Sequence, residues 1–354
     1  MTEHCLIKPS AMDRLMQCRG ALSMERLYPQ PPGPKAEEGT LAHTVASNRL
    51  LRKDEIYGPE VSEEMLEGSD LWFETFGKYN GVQVEKRLTI NDNCWGTCDA
   101  WVYHEGEGVL RIGDYKFGHV YVEAKDNWQL ITYAVAWCIE NKAWPRFIEV
   151  TIVQPRCFTS FEKVRSWIYT GEEMRQFCDE ILVNNDLILK GNTPCVTGNE
   201  CLYCKARHAC PTYLKSVSNV WEYIGEPVPF DLSEAALSKE LTALNDAFTL
   251  LKGRRSGIEA ELMNRMKAGS VVPGWMLKNS YGREEWDRPI NEVVGLGLMW
   301  GIDLSKPGAI TPKQAIKAGI PEEIVRSYSA IKNSELKLVP DDWAKAKAVF
   351  GGNQ

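Results

Sequence analysis

The sequence predicts an α/β fold, a central mixed sheet flanked by helices, on three observations. Segments rich in β-branched and aromatic residues alternate with helical ones through residues 82–190. Glu123–Glu140 is apolar on nearly every face, as expected of a helix buried against a sheet. The chain has 354 residues, 44% of them hydrophobic and 25% charged, enough for a sizeable core and unlike a disordered or fibrous polymer.

The elements follow in order. A first helix is expected over Ala11–Tyr28, ending before the Pro29–Pro34 loop. A second starts near Lys35 and carries Gly39-Thr-Leu-Ala-His43. Asp54–Gly77 holds eight acids and no Lys or Arg, which reads as a solvated helix face. Val82–Ile90, Trp95–Tyr103 and Val109–Phe117, bounded by Asn and Gly, read as strands. Phe147–Pro155 and Lys163–Tyr169 read as two more, followed by a helix over Gly171–Lys190.

A boundary near 215–232, at Glu226-Pro-Val-Pro-Phe-Asp231, separates residues 1–220 from 221–354. A long amphipathic helix is expected from Leu232 to about Lys267, with Asp231 as N-cap and Glu234 three residues on. Leu237, Leu241, Leu244, Phe248 and Leu251 form its apolar stripe. Val272–Asn279 reads as a strand. Thr311-Pro-Lys-Gln314 starts a short helix that Gly319 stops, and Pro321 begins another; the two make a packing unit or a helix-turn-helix. This extension is expected to be mainly helical, guiding DNA or docking a partner.

The net charge of −7 excludes a protein that coats DNA with a uniformly basic surface. The average conceals an asymmetry: without Asp54–Gly77, residues 1–220 move from −6 to +2. A basic track beside an acidic site is compatible with that. Lys205, Arg207, His208, Lys215, Lys252, Arg254 and Arg255 are candidate phosphate contacts, and Trp72, Trp95, Trp101, Trp128 and Trp137 read as core. The N-terminus has no basic segment leading into an apolar one, and Ile131–Ile139 is too short to span a bilayer. A cytoplasmic protein without a membrane partner is expected, in which eleven cysteines read as metal ligands before disulfides.

The chemistry concentrates in Trp95-Gly-Thr-Cys-Asp99 and Gly113-Asp-Tyr-Lys116. Side chains alternate along a strand, so Asp114 and Lys116 share a face. If Glu105-Gly-Glu-Gly108 is a four-residue loop, Asp99 faces Asp114 and Thr97 faces Lys116. A five-residue loop separates the two acids onto opposite faces. Facing carboxylates suit a shared divalent cation; the alternative is an exposed strand bearing an Asp–Lys surface pair. Glu85 lies in the preceding strand, and Gln129 and Tyr133 are one helical turn apart.

Gly39-x-x-x-His43, Gly96-x-x-Asp99, Asp114-x-Lys116 and Gln129-x-x-x-Tyr133, in that order, resemble the motif series of the RecB-like branch of the PD-(D/E)XK nuclease superfamily. That branch includes AddB-type helicase-nucleases and CRISPR-associated RecB-like exonucleases, and the likeness covers roughly residues 8–215. It implies that His43, Asp99, Asp114 and the Tyr115 backbone carbonyl bind catalytic Mg2+ or Mn2+. It also implies that Lys116 assists the nucleophile, that Gln129 and Tyr133 support the site or touch DNA, and that Glu85 matches an acidic position of some members.

Cys201-x2-Cys204-x5-Cys210 points independently to a metal, with the fourth ligand open between Cys195 and Cys18. The iron–sulfur members of the branch have one cysteine before the nuclease motifs and three after. The resemblance therefore implies a 4Fe–4S cluster on Cys18, Cys201, Cys204 and Cys210, a staple between the ends of the nuclease domain. Structural Zn2+ with Cys195 as fourth ligand is the alternative.

The expected function is a metal-dependent DNA exonuclease acting on DNA ends in recombination, repair or phage DNA processing. A phage recombination or single-strand-annealing protein is a possible partner. An endonuclease of the same fold and a non-catalytic DNA-end-binding subunit are the competing classes.

Overall fold

Two periodicities, alternation in the strands and apolar faces on the helices, build a layered α/β unit. The computed structural model describes residues 5–29, 34–53, 56–58, 60–157, 162–191, 193–224, 233–304 and 311–340. The chain divides into two compact units, Met1–Gly257 and Ile258–Gln354.

The first unit opens with helices α1 (Met12–Gln17), α2 (Ala21–Leu27), α3 (Pro34–Leu50) and α4 (Glu63–Phe76). Strands β1 (Gln83–Asn91), β2 (Cys94–His104) and β3 (Val109–Tyr115) follow, then α5 (Trp128–Asn141), β4 (Phe147–Val153), β5 (Val164–Thr170) and α6 (Gly171–Lys190). The five strands form one sheet in sequence order. All neighbours are antiparallel except β3 and β4, which are parallel. A parallel pair needs a crossover, and α5 supplies it.

The sheet has a core on each face. On one, Leu15 of α1, Leu130 of α5 and Ile181 of α6 pack on Leu110 and Ile112. On the other, Ala46 of α3 and Trp72 and Phe76 of α4 pack on Tyr115 and Val153. The acidic stretch behaves as expected: Met65, Trp72 and Phe76 are buried while Glu63 and Glu64 are exposed.

The β2–β3 turn settles the register. His104 pairs with Val109, and the ladder runs from there to Ala100 opposite Gly113, the pairing that a four-residue loop requires. The ladder ends there, one step short of Asp99 and Asp114.

The single helix expected over Ala11–Tyr28 is broken. Cys18 sits between α1 and α2 with extended backbone, φ −136° and ψ 93°. Gly20 allows another segment to approach, since a Cβ there would lie 2.8 Å from Cys195 Sγ and 2.9 Å from the Thr193 carbonyl. The break keeps Cys18 buried.

Helices α7 (Pro211–Ile224) and α8 (Glu234–Lys267) close the first unit. Glu226–Asp231, within the expected boundary, lies outside the described residues. The division between the two compact units falls inside α8; within the first, Tyr213 Oη donates to the Leu250 carbonyl (2.8 Å) and Arg207 Nε to Ser256 Oγ (3.2 Å). Four of the five stripe residues are exposed, from 40% at Leu244 to 69% at Phe248, and Leu251 is half-buried.

The second unit adds a two-stranded sheet to the helices expected there. Strands β6 (Trp275–Trp286) and β7 (Ser329–Pro340) pair antiparallel along their length, with irregularities between Asn279 and Glu284. The periodicity of β7 is confined to Leu336-Lys-Leu338, too short a signal to announce a twelve-residue strand. Helices α9 (Ile290–Met299), α10 (Pro312–Lys317) and α11 (Glu322–Tyr328) accompany them. Thr311 and Gln314 form the capping box expected at α10. Val293, Leu304, Ala315, Ile320 and Val325 make a small core, so α10 and α11 act as a packing unit. No helix among the described residues is long and apolar enough to cross a membrane.

Candidate metal centre and cysteine pocket

Three carboxylates line up across three neighbouring strands. Val84 of β1 belongs to the α3–α4 core and Leu88 to the α5 core, although they stand an even number of residues apart. Ala100 and Cys98 of β2 divide the same way. A regular strand keeps such residues on one face, so both strands change phase in between. In β1 the change falls at Glu85, whose φ of +51° is left-handed. The ladder pairs Val84 with Ala100 and Lys86 with Cys98, leaving Glu85 opposite Asp99 at the interruption. Asp114 follows on β3.

The side chains at this fault form two linked groups. His43 Nδ1, on α3, lies 3.3 Å from Asp99 Oδ2, which also accepts from the Tyr115 amide (2.8 Å). Glu85 Oε1 accepts from Ser47 Oγ at 2.7 Å, one turn after His43. Among the described residues, the ligand atoms of His43, Glu85 and Asp99 lie within 4.8 Å of one another. In the second group Asp114, 1% exposed, has Oδ2 at 2.8 Å from Lys116 Nζ. Gln129 donates to Asp114 Oδ1 (2.7 Å) and accepts from Lys116 Nζ (2.9 Å). Tyr133 Oη donates to the Thr97 carbonyl (2.7 Å).

The electrostatics follow from burial and like charge. Burial, and after it the charge of Asp99, hold the Asp114 carboxyl above its ordinary range, while Lys116 opposes the rise. Glu85 is raised by burial and Asp99, against its bond from Ser47. At His43 burial disfavours the charged ring, yet the bond to Asp99 and the charges of Asp99 and Asp114 prevail and raise its pKa. Lys116 is likewise raised by Asp114 despite its own burial. Two carboxyls, Glu85 and Asp114, raised by burial and by the charge of Asp99 between them, mark surplus negative charge, which a divalent cation relieves. The donor set fits such an ion: two or three carboxylates and one imidazole, with the buried Asp114 Oδ2 lacking a well-directed hydrogen bond.

Of the residues singled out from sequence, His43, Glu85 and Asp99 form the closest set, and Asp114 is bound into the Lys116–Gln129 network. Tyr115 enters through its amide. Two further participants escaped the sequence reading. Ser47 orients Glu85. Asp13, at the start of α1, accepts from the Trp128 amide (3.1 Å) at the start of α5, and its charge acts on Lys116. An acid five residues before Cys18, on one short helix, was the available signal.

The second region is a pocket lined by five cysteines, Cys18, Cys195, Cys201, Cys204 and Cys210. The Val196 amide donates to Cys18 Sγ (3.3 Å) and the Gly198 amide to Cys201 Sγ (3.4 Å). Burial pushes the Cys195 and Cys204 thiols up to about 12. Among the described residues no three of these sulfurs fall within 4.8 Å of one another. The other six cysteines are buried. Of the candidate phosphate contacts, Arg207 is engaged internally, donating to the Cys204 carbonyl (2.9 Å) and to Ser256.

A family profile described as a protein of unknown function, DUF2800, matches residues 73–290, from the end of α4 to the start of α9. The chain belongs to the DUF2800 family. The matched span of this DUF2800 protein contains Glu85, Asp99, Asp114, Lys116, Gln129 and the cysteines from 195 onward; His43 and Cys18 precede it. Among solved structures, one titled "Crystal structure of SSO0001" aligns with 60% of this chain and 89% of its own, at 13% identity and a TM-score of 0.31.

Proposed function

We propose that the protein is a Mg2+- or Mn2+-dependent DNA exonuclease of the RecB-like PD-(D/E)XK kind, stapled by a four-cysteine 4Fe–4S cluster. One observation carries the reading: Glu85, Asp99 and Asp114 stand on three adjacent strands, beside His43 and the half-buried Lys116. His43, Glu85 and Asp99 would hold the ion, with Asp114 beside them. When bound, the ion supplies Lewis acidity at a phosphodiester and lowers the pKa of water there. The chain's own groups do the rest. Asp114 and Gln129 hold the Lys116 ammonium in one orientation, and its raised pKa keeps it charged at neutral pH, available to an anionic transition state. Asp13 holds the first turn of α5, from which Gln129 projects.

The cluster is read onto the pocket that gathers Cys18, Cys201, Cys204 and Cys210. Cys195, whose thiol meets those of Cys18 and Cys210, keeps structural zinc as the alternative. Protein purified without oxygen is expected to be brown, with iron and sulfide in equal amounts; colourless protein holding one zinc, unchanged by Cys18→Ser, overturns the cluster.

The activity is tested with end-labelled linear DNA and covalently closed circles, each with Mg2+ and with Mn2+. Linear DNA should be degraded and circles spared, and Asp114→Ala should remove the activity. Cleavage of circles indicates an endonuclease, and degradation that survives Asp114→Ala refutes the assignment of the centre.

A further inference from the structure

Next to the carboxylates, and outside them, the N-terminal segment leans on the rim of the sheet and encloses a second pocket. Ile7 bridges to Cys94 through its amide and the Asn93 carbonyl (2.9 Å), and the Trp95 amide donates to Cys5 Sγ (3.1 Å). Gly96 makes the approach possible, because a Cβ there would stand 2.8 Å from the Pro9 ring. What this leaves open is lined by Lys8, Ser10, Trp95, Thr97 and Tyr133, about 530 Å³ of non-atom space continuous with solvent.

The lining has a definite chemistry. Among the described residues Lys8 in the lining and Arg87 beside it make no ion pair, and neither the Ser10 nor the Thr97 hydroxyl makes a hydrogen bond. Arg87 lies over the Trp95 ring, 3.8 Å from its centroid. Unlike Trp72 and Trp137, which are buried in the two cores, Trp95 is half-buried and belongs to neither core. No acidic side chain lines the pocket. Unpaired cations, unused hydroxyls and a partly open indole stacked under a guanidinium are the groups that bind single-stranded nucleic acid, through backbone phosphate and the π-face of a base.

Position ties the pocket to the centre. Thr97 precedes Asp99 by two residues on β2, about 6.6 Å of strand, a distance on the scale of one nucleotide step. Tyr133, one turn after Gln129, donates to the Thr97 carbonyl, so the pocket wall and the Lys116 network share a strand and a helix face.

We infer that this pocket is a nucleotide subsite, occupied by the nucleotide adjoining the bond that is cut. Its phosphate lies on Lys8, Ser10 and Thr97 and its base on Trp95. A base stacked on the indole has left its duplex, so the subsite selects single-stranded ends. This rests on the reading of the centre as a phosphodiesterase.

The test measures anisotropy of labelled oligothymidylate and of a blunt hairpin duplex with the full chain, in EDTA so that nothing is cut. Trp95→Ala should weaken oligothymidylate binding by about ten-fold, and Trp95→Phe should recover most of it. Lys8→Ala, an exposed change that leaves the fold intact, should flatten the log–log salt dependence by about 0.7. Duplex binding should be unaffected. Variants that bind oligothymidylate as wild type does, or lose both ligands equally, overturn the subsite. Mn2+-dependent degradation by the same proteins keeps the two readings apart: if the subsite alone is wrong, wild type still degrades DNA and the variants keep its KM. If wild type neither binds nor degrades, the reading of the centre fails with it.

Discussion

The carboxylate centre and the cysteine pocket are both concentrations of ligating atoms, and they are held in opposite ways. In the centre, internal partners surround each functional group: Asp114 has Lys116 and Gln129, Asp99 has His43 and the Tyr115 amide, Glu85 has Ser47. In the pocket, Cys195 and Cys204 are pushed up to about 12 by burial, and the sulfurs have only weak contacts: amide N–H groups at Cys18 and Cys201, and neighbouring thiols at Cys195. The first arrangement is organised before any ion arrives. The second gains most of its polar satisfaction from what it takes up, and it joins segments far apart in sequence, residues 18 and 195–210. The centre should therefore lose activity without losing the fold, and the pocket the reverse.

The largest expected effect is at Lys116. Lys116→Ala should lower Mn2+-dependent DNA degradation by a factor on the order of 10² to 10³. Far-UV circular dichroism should stay unchanged, since the buried Asp114 it leaves behind already has a raised pKa and can take a proton. Cys201→Ser should invert the pattern. With the staple gone, stability should fall by about 3 kcal/mol, roughly 6–12 °C in Tm, by analogy with removal of a long-range crosslink. If Cys201→Ser melts like wild type, the contrast between the regions collapses.

Much of this contrast was legible in the sequence, for identifiable reasons. Alternation placed Asp114 and Lys116 on one face, and the four-residue loop dictated the β2–β3 register that the ladder follows. The close set of His43, Glu85 and Asp99 was harder to foresee. It depends on the phase change at Glu85, a backbone conformation that glutamate rarely adopts and no motif announces. Cys195 was seen as an alternative ligand, but its place beside the other four thiols depends on Gly20 letting the 193–195 segment approach α2. Of the β6–β7 pair only the start of β6, within Val272–Asn279, was foreseen; the rest is polar and weakly periodic.

A smaller effect concerns pH. Carboxylates and an imidazole whose pKa values are raised by folding bind protons more tightly in the folded state. Their contribution to stability is therefore present at low pH. It is lost as pH rises, first through the carboxylate range and then through that of His43. Metal-free protein should melt lower at pH 8 than at pH 6. Because a proton and a cation compete for the same imidazole, Mn2+ should raise Tm more at pH 8 than at pH 6. His43→Ala should remove most of that difference. A Mn2+ shift independent of pH, in a protein that binds the ion, places the ion elsewhere.

The smallest effect isolates the backbone at Glu85. A residue with a Cβ is strained in the left-handed region by about 1–2 kcal/mol, whereas glycine adopts it freely. Glu85→Ala and Glu85→Gly both lose the carboxylate and its bond from Ser47, so they differ mainly in that Cβ. The glycine variant should be more stable by about 1 kcal/mol in urea unfolding, partly offset by the greater freedom of glycine in the unfolded chain. Both should bind Mn2+ more weakly than wild type. Such a pair separates the cost of the conformation from the use of the side chain: strain tolerated in order to aim a ligand appears as a stability gain without a gain in metal affinity. Equal stabilities for the two variants, with metal binding intact in both, would remove Glu85 from the centre and leave His43, Asp99 and Asp114 to carry it.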